Sequence, residues 1–500
     1  MWYRKTFPFG KMICIVCIVF SMSVKAQEKK TLTLEMAMKM AHESALDAFR
    51  AKRQYAVGYW EYRSFQARLL PKVNLDLQPF TFNRSFVQRY DPVNNIDVYR
   101  QQRNLNTFGQ LSINQNIMAT GATVFVNSTF NRFVNFSDDA TIKNYSTTPV
   151  RIGLNQPLMA FNELKWQNKT AALEYERAKK EYISQQEALN VKTISLFFQW
   201  ALANTKVLIA VENKKNADRL FKIGQKRYPL GTIERDDLLN LELETFTADT
   251  NLAQTEQQLQ EVVSELQLFL DQGNLSGFVP ELPEVISSMK ISLEEAREMV
   301  HRYNPGLLDI GIKKINAERD LDRAIKENRF DLSINASYGL NQQADDFANA
   351  YSNFLDQQLV AVQFSMPLLD WGERKGNIQK ARMNKELADI ENKQAENDIE
   401  QQLSQKVNNY NLQEGLVAVA LRTRNIAEES YTITERRFLS GKVDLLRLLT
   451  ARRAWQTASE NYVQSLQQYW EYYHGVQQMT LYNFMDRSTL NEDFEKLLRR

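Results

Sequence analysis

Two cysteines, three histidines, 17 glycines and 11 prolines are all that 500 residues contain of those types. Cys14 and Cys17 both lie in the first 26 residues, so the chain beyond them has no thiol for a disulfide or a thiolate metal site. Three histidines leave little for metal binding or proton transfer. His42 and His301 fall at equivalent places in the repeat described below and are expected to pack or cap rather than ligate. No Walker loop, dinucleotide fingerprint, HExxH or nucleophile elbow is present. An enzyme is therefore not expected, nor a cofactor or bound metal. Charge of one sign is also missing: 62 basic residues face 60 acidic ones, a net +2. With no basic patch interleaved with aromatics, nothing points to nucleic acid. So few turn formers imply long uninterrupted elements.

The N-terminus has a positive region (Arg4, Lys5, Lys11), then the apolar run "MICIVCIVFSMSV" (residues 12–24), with Val24 and Ala26 as small residues before a polar start. This is a secretory signal over residues 1–26. Its apolar run is shorter than the roughly 18–20 residues a spanning helix needs. No later stretch is expected to be long and apolar enough to form a membrane helix. "EMAMKM" (residues 35–40) suggests copper, but on a helix Met38 swings away from Met36 and Met40, which favours core methionine.

What is there is a unit written twice. "LTLEMAMKMAH" (residues 32–42) matches "ISLEEAREMVH" (residues 291–301) at an offset of 259. Pro157 in "NQPLMAFNELK" then matches Pro367 in "FSMPLLDWGERK" at an offset of 210, which holds through "KRYPLG" and "RRFLSG", pairing Arg227 with Arg437 and Gly231 with Gly441. The first copy thus carries 49 extra residues between Leu75 and Pro157. They include residues 107–133, a strand–turn–strand with Thr120 and Gly121 at its turn. Placement of this extra hairpin stays open between the sheet, its outer loops and the opposite side. The organisation expected is residues 27–285 as the first repeat, 286–484 as the second and 485–500 as a tail.

Each unit runs helix, strands, long helix, turn, helix. Stepping three then four from Leu238 gives Leu241, Thr245, Ala248, Leu252 and onward to Phe269; the same steps from Leu448 reach Met479. Two such seams in one register argue for coiled-coil packing. The preceding helices, residues 163–226 and 373–437, are free of proline and the first reaches about 96 Å. A helix of that length is a strut or a wall. Residues 32–70 and 291–328 each suggest one shorter helix.

Six stretches alternate apolar with small or polar residues: 73–77, 111–117, 123–130, 150–156, 332–340 and 359–366. Each suggests a strand of about ten residues with one greasy and one wet face. Polar residues 341–358 suit an exposed connection, and residues 90–106 a similar one in the first copy. The pattern alone fits a membrane barrel or a soluble sheet packed on helices. In a membrane, so few strands close a barrel only if several chains share it.

The signal, the doubled helix–strands–long helix–turn–helix unit, the two R-[YF]-x-x-G turns and the Q-P-L and M-P-L steps together resemble the outer membrane efflux (TolC-like) family over essentially the whole chain. The resemblance implies a mainly α protein with a membrane β-barrel contribution: a homotrimer with an α-helical barrel across the periplasm and a shared barrel in outer-membrane lipid. It implies a passive exit duct for an efflux or type I secretion system, with a periplasmic adaptor and an inner-membrane pump as partners. Arg227, Tyr228, Pro229, Leu230 and Gly231, with Arg437, Phe438, Leu439, Ser440 and Gly441, would be the hairpin tips that dock the adaptor. Some relatives carry aspartates six and nine residues after the second tip glycine; here Arg447 and Thr450 stand there, and Asp444 precedes them. Asp236, Asp237, Asp444 and Arg447 are the gate candidates, with Asp237 facing Arg447 as the sharper expectation. A periplasmic coiled-coil structural or envelope protein without channel activity is the competing reading.

Overall fold

A computed structural model describes residues 30–136, 141–271, 275, 277–283 and 289–498. The signal at residues 1–26 lies outside them. A short strand, β1 (Lys30–Thr33), opens the chain, followed by α1 (Leu34–Ser44) and α2 (Leu46–Arg68). Four strands come next: β2 (Lys72–Asp91), β3 (Ile96–Ile117), β4 (Ala122–Phe136) and β5 (Thr141–Pro157). The long α3 (Glu163–Arg227) turns into α4 (Arg235–Phe269), and β6 (Phe278–Glu281) closes the first copy. The second copy has α5 (Leu293–Tyr303), α6 (Pro305–Glu327), β7 (Asp331–Ala344), β8 (Leu355–Ser365), α7 (Glu373–Leu439) and α8 (Leu445–Thr480). Short β9 (Tyr482–Asn483), β10 (Ser488–Thr489) and α9 (Phe494–Leu498) end it.

The long helices begin where the sequence places them, because Asn162 caps α3 by accepting from the Lys165 amide at 3.0 Å. Both heptad seams face inward: Leu238, Leu241, Ala248, Val262 and Leu266 on α4 are buried, as are Leu448, Ala458, Tyr469, Val476 and Met479 on α8. The two helices expected before the strands are each broken in two. Ala45 and Asn304, equivalent at the 259 offset, adopt extended backbone (ψ 138° and 124°). Pro305 cannot continue α5, and Asn304 caps α6 instead, accepting from the Gly306 amide at 2.8 Å. These breaks are the joints of the wall. Ser44 Oγ donates to the Leu270 carbonyl at the end of α4 (2.5 Å), and Asn304 Nδ2 to the Met479 carbonyl near the end of α8 (2.8 Å). So α2 stacks on α4 and α6 on α8, beside the unbroken α3 and α7.

Around the joints lies the main core. Leu266, Leu466, Phe197, Phe198 and Trp200 are buried there with α1, α5 and the parallel pair β1–β6. Met38 and Met40 pack against it, whereas Met36 is exposed, so the methionine expectation holds for two of three. One expectation is corrected. The helix from Glu163 contains an 18-residue stretch of mean hydropathy 1.5, long and apolar enough by composition to cross a membrane. Half of that stretch is buried inside the protein, because α3 is the central helix, packed by α4, α8 and α1.

All six predicted strands lie in one antiparallel sheet of order β2-β3-β4-β5-β7-β8. Their lengths correct the expectation of about ten residues: β2 has 20 and β3 has 22. Residues 90–106, expected as an exposed connection, are mostly strand: the ladder from Thr81↔Asn106 continues to Asp91↔Ile96, leaving a turn at 92–95. That part of the chain lacks clean alternation because, among the described residues, 96–102 pair with β2 alone.

At the junction of β8 with α7, Asp370 accepts from Arg374 Nε (2.7 Å) and from the Arg374 amide (3.0 Å). The Arg374 side chain first, then its amide, pull the Asp370 carboxyl down to about 2. A depressed carboxylate stabilises above its ordinary value near 3.8 and loses that contribution as pH falls toward 2. We expect protection of the first amides of α7 to persist at pH 5 and fade between about pH 4 and 2. Asp370→Asn should show the faded pattern at both ends, measured by hydrogen exchange.

Candidate functional site

The sheet sorts its side chains by face. Directly opposed residues of antiparallel strands share a face. One face carries Val73, Leu75 and Leu77 of β2 beside Ile113, Leu111 and Gly109 of β3. It continues through Val126 and Ile152, then Tyr338, and ends on Val362 and Phe364. The other face carries Asn74 with Ser112, Asn127 with Arg151, and Asn155 with Asn335. The apolar face is not packed on helices: Leu75 is 64% exposed, Ile152 53% and Val360 77%. Soluble sheets bury such a face; this one is left for hydrocarbon. Opposite it, Gly153 lies under the Phe125 ring, where an added Cβ would collide with the aromatic carbons. The Arg151 guanidinium stands 5.8 Å from the same ring.

At the far end of the helices the two turns are built alike. Gly231 and Gly441 have φ of 66° and 70°, the left-handed region open to glycine. The Thr232 amide donates to the Arg227 carbonyl at 3.3 Å, and the Lys442 amide to the Arg437 carbonyl at 2.9 Å. These are six-to-one bonds ending each long helix in the same manner, 210 residues apart. Pro229 sits in the short 3-10 turn Tyr228–Leu230. Leu230 is 75% exposed and Tyr228 is exposed, whereas Phe438 and Leu439 pack against the buried cluster of Leu220, Leu241, Tyr431, Leu445 and Leu448. The structure also brings the turns together, since Arg227 Nη2 donates to the Leu439 carbonyl at 2.8 Å.

The gate candidates occupy helix starts. Asp444 caps α8, accepting from the Arg447 amide at 2.9 Å; its equivalent in the first copy is Glu234, the residue before α4. Asp236 and Asp237 lie in the first turn of α4, where negative charge suits the helix dipole. Asp236 and Arg447 are exposed and Asp237 half-buried. Among the described residues of one protomer no ion pair joins Asp237 to Arg447.

Two polar contacts escape the sequence pattern. Just above the tips Arg452 of α8 meets Glu244 of α4 at 2.6 Å, with both side chains largely covered. Charged residues on long helices usually face solvent, and only the packing of α4 and α8 around α3 reveals this pair. Near the joints, buried His474 meets Glu187 at 2.9 Å. His42, predicted to pack or cap, bonds Gln186 (2.5 Å) and Asn190 (2.7 Å) on α3.

A greasy-outside sheet at one end, long hairpins at the other and, among the described residues, no catalytic cluster describe a wall rather than a pocket. The family model for outer membrane efflux protein matches residues 118–270 and 314–480, well over half the chain. The amino-acid sequence matches no curated protein. Among solved structures, the Campylobacter jejuni CmeC outer membrane channel aligns over 93% of this chain and 88% of its own, with 13% identity and a TM-score of 0.62. The Vibrio cholerae outer membrane protein VceC aligns over 92% of this chain and 97% of its own, with 12% identity and a TM-score of 0.62. A Pseudomonas aeruginosa membrane protein covers 89% of this chain and 93% of its own, with 14% identity and the same TM-score of 0.62. These likenesses fix the fold, and the family match fixes the rest: the chain belongs to the outer membrane efflux protein family and is an outer-membrane, TolC-like efflux channel without catalytic chemistry.

Proposed function

We propose that three copies close head to tail into one tube that serves as the exit duct of an efflux or secretion machine. The observation that carries this reading is that each protomer has two unlike, unfinished edges. In the helical layer α3 is flanked by α2 and α4 on one side and by α6 and α8 on the other, with α7 outermost. In the sheet, β2 and β8 are the outer strands. One edge therefore consists of β2, α2 and α4, the other of β8 and α7. Phe49, Trp60, Leu243 and Phe246 are exposed on the first, and Leu387, Ile390, Leu416 and Val419 on the second. Unlike edges that pair head to tail generate a closed ring when the rotation closes. Three is the number found in channels of this family.

In this reading the tips meet a periplasmic adaptor, and an inner-membrane pump supplies the energy. Leu230 and Tyr228 offer the exposed apolar contact, and Pro229 and Gly231 fix its position. Gly441 places Arg437, Phe438, Leu439 and Ser440 at the same level. A photoreactive residue at Leu230 is expected to capture a periplasmic adaptor in cells. Capture only of other copies of this chain would count against the docking role. At the pore, Asp237 and Arg447 of the assembled tips form the charge-paired constriction, with Asp236 and Asp444 beside them. Arg447→Asp is expected to raise single-channel conductance several-fold; an unchanged conductance would remove the gate from the account.

A further inference from the structure

The 49 residues that the second copy lacks leave the sheet with six strands in each chain. We propose that the assembled channel has an eighteen-stranded wall in the outer membrane, with β3 and β4 as wall strands. The exit is then as wide as the helical tube beneath it. This rests on the trimer proposed above.

Three observations put the extra hairpin in the wall. First, β3 and β4 are interior strands. β3 is bonded to β2 from Lys72↔Asn114 upward and to β4 from Ile117↔Ala122 upward, and β4 is bonded in turn to β5. A plug or a periplasmic flap would leave β2 free to pair with β5 directly. Second, the hairpin obeys the same facing rule as its neighbours. Ile113 and Val126 share the apolar face, while Asn114 and Thr129 share the polar one. Third, the turn between them is fastened where the helices begin. Asn162 Nδ2, on the residue that caps α3, donates to the Met118 carbonyl at 2.8 Å. Gln156 Nε2 donates to the Thr120 carbonyl at 3.1 Å, and Gln115 Nε2 to the Leu69 carbonyl at the end of α2 at 2.8 Å. The added hairpin therefore descends to the periplasmic rim and returns, spanning the same height as β5 and β7.

Circumference agrees. Strands about 4.8 Å apart and tilted about 40° each occupy about 6 Å of perimeter, so eighteen give about 110 Å. Four helices per protomer stand at each level, and twelve helices at about 8–10 Å spacing give about 100–120 Å. Twelve strands at the same tilt would give about 75 Å. An eighteen-stranded wall continues the helical wall without narrowing, about 35 Å across between backbones. Size selection then falls on the hairpin tips, and the membrane segment passes cargo as bulky as a small folded polypeptide over a lumen of amides and hydroxyls with the Arg151 guanidinium and the Phe125 ring among them.

Residues 1–26 hold both cysteines, so their removal leaves a background free of thiols. The full chain is reconstituted in liposomes as Ile113→Cys, Asn114→Cys, Val126→Cys and Thr129→Cys variants carrying a spin label. Labels at 113 and 126 are expected to be reached by oxygen from the bilayer, and those at 114 and 129 by a water-soluble nickel chelate. All four labels reached by the chelate alone would overturn the proposal. Electron microscopy of the same sample supplies a strand count. Eighteen strands around a threefold axis support the proposal; twelve, with the hairpin outside the wall, overturn it and leave the trimer standing. A monomer overturns the trimer and the wall together.

Discussion

Ile152→Arg should abolish assembled channel in the outer membrane, whereas Asn155→Arg, three residues along the same strand, should leave it intact. Ile152 lies on β5 opposite Val126 and Tyr338, on the exposed apolar face. A guanidinium near the middle of the hydrocarbon costs about 2–4 kcal/mol, and a closed ring incurs it once in each protomer. Asn155 faces Asn335 and Thr123 on the polar side, where an added charge stays hydrated. Heat-modifiable trimer on a gel and protein recovered with outer-membrane vesicles would check both. Equal tolerance of the two substitutions would mean that the apolar face never meets lipid.

Phe197→Ala should destabilise the helical tube by about 3–5 kcal/mol, the usual cost of emptying a buried aromatic site. Phe197 has no exposed surface and packs edge-on against Phe198 at 5.6 Å and Trp200 at 6.0 Å. The buried cluster it belongs to draws on α1, α3, α4, α5, α7 and α8, so collapse around the gap would have to move the stacked joints. Denaturant unfolding followed by helical circular dichroism, with Leu208→Ala on exposed surface as control, measures the difference. A loss under about 1 kcal/mol would show that the belt around the joints does not hold the wall together.

The repeat was legible because it is written in residue types with few substitutes. Gly231 and Gly441 need left-handed backbone, and the α4 and α8 seams need apolar residues at steps of three and four. Those features located both long helices to within two residues of their ends. The breaks at Ala45 and Asn304 were harder. Pro305 signals the second, but nothing in "SALD" signals the first, which exists because α2 must restart on top of α4. The upper halves of β2 and β3 were missed because alternation records a difference between two environments. A ribbon paired only with itself has water on both faces and no such difference to record. The extra hairpin was recognised as strand–turn–strand from its alternation. Its place in the sheet comes from the ladders to β2 and β5 and from hydrogen bonds to Asn162, Gln156 and Leu69, partners up to 46 residues away that periodicity cannot see.

The tips show a further limit. Arg227 and Arg437 are equivalent in sequence, yet Arg227 reaches across to the Leu439 carbonyl and so ties one hairpin to the other. Together with Arg452 and Glu244 it closes the gap between hairpins inside one protomer. Arg227→Ala combined with Arg452→Ala should loosen the tips and raise the basal open probability more than either change alone: about fivefold for each if each bond contributes about 1 kcal/mol, and about thirtyfold or more together. Single-channel recording of the four variants reads this directly.

The central claim is that no single chain encloses a passage and that a ring of three does. Native mass spectrometry of the detergent-extracted protein measures it most directly. The account predicts one species at three times the mass of a single chain, and a strictly monomeric species under the same conditions would contradict it.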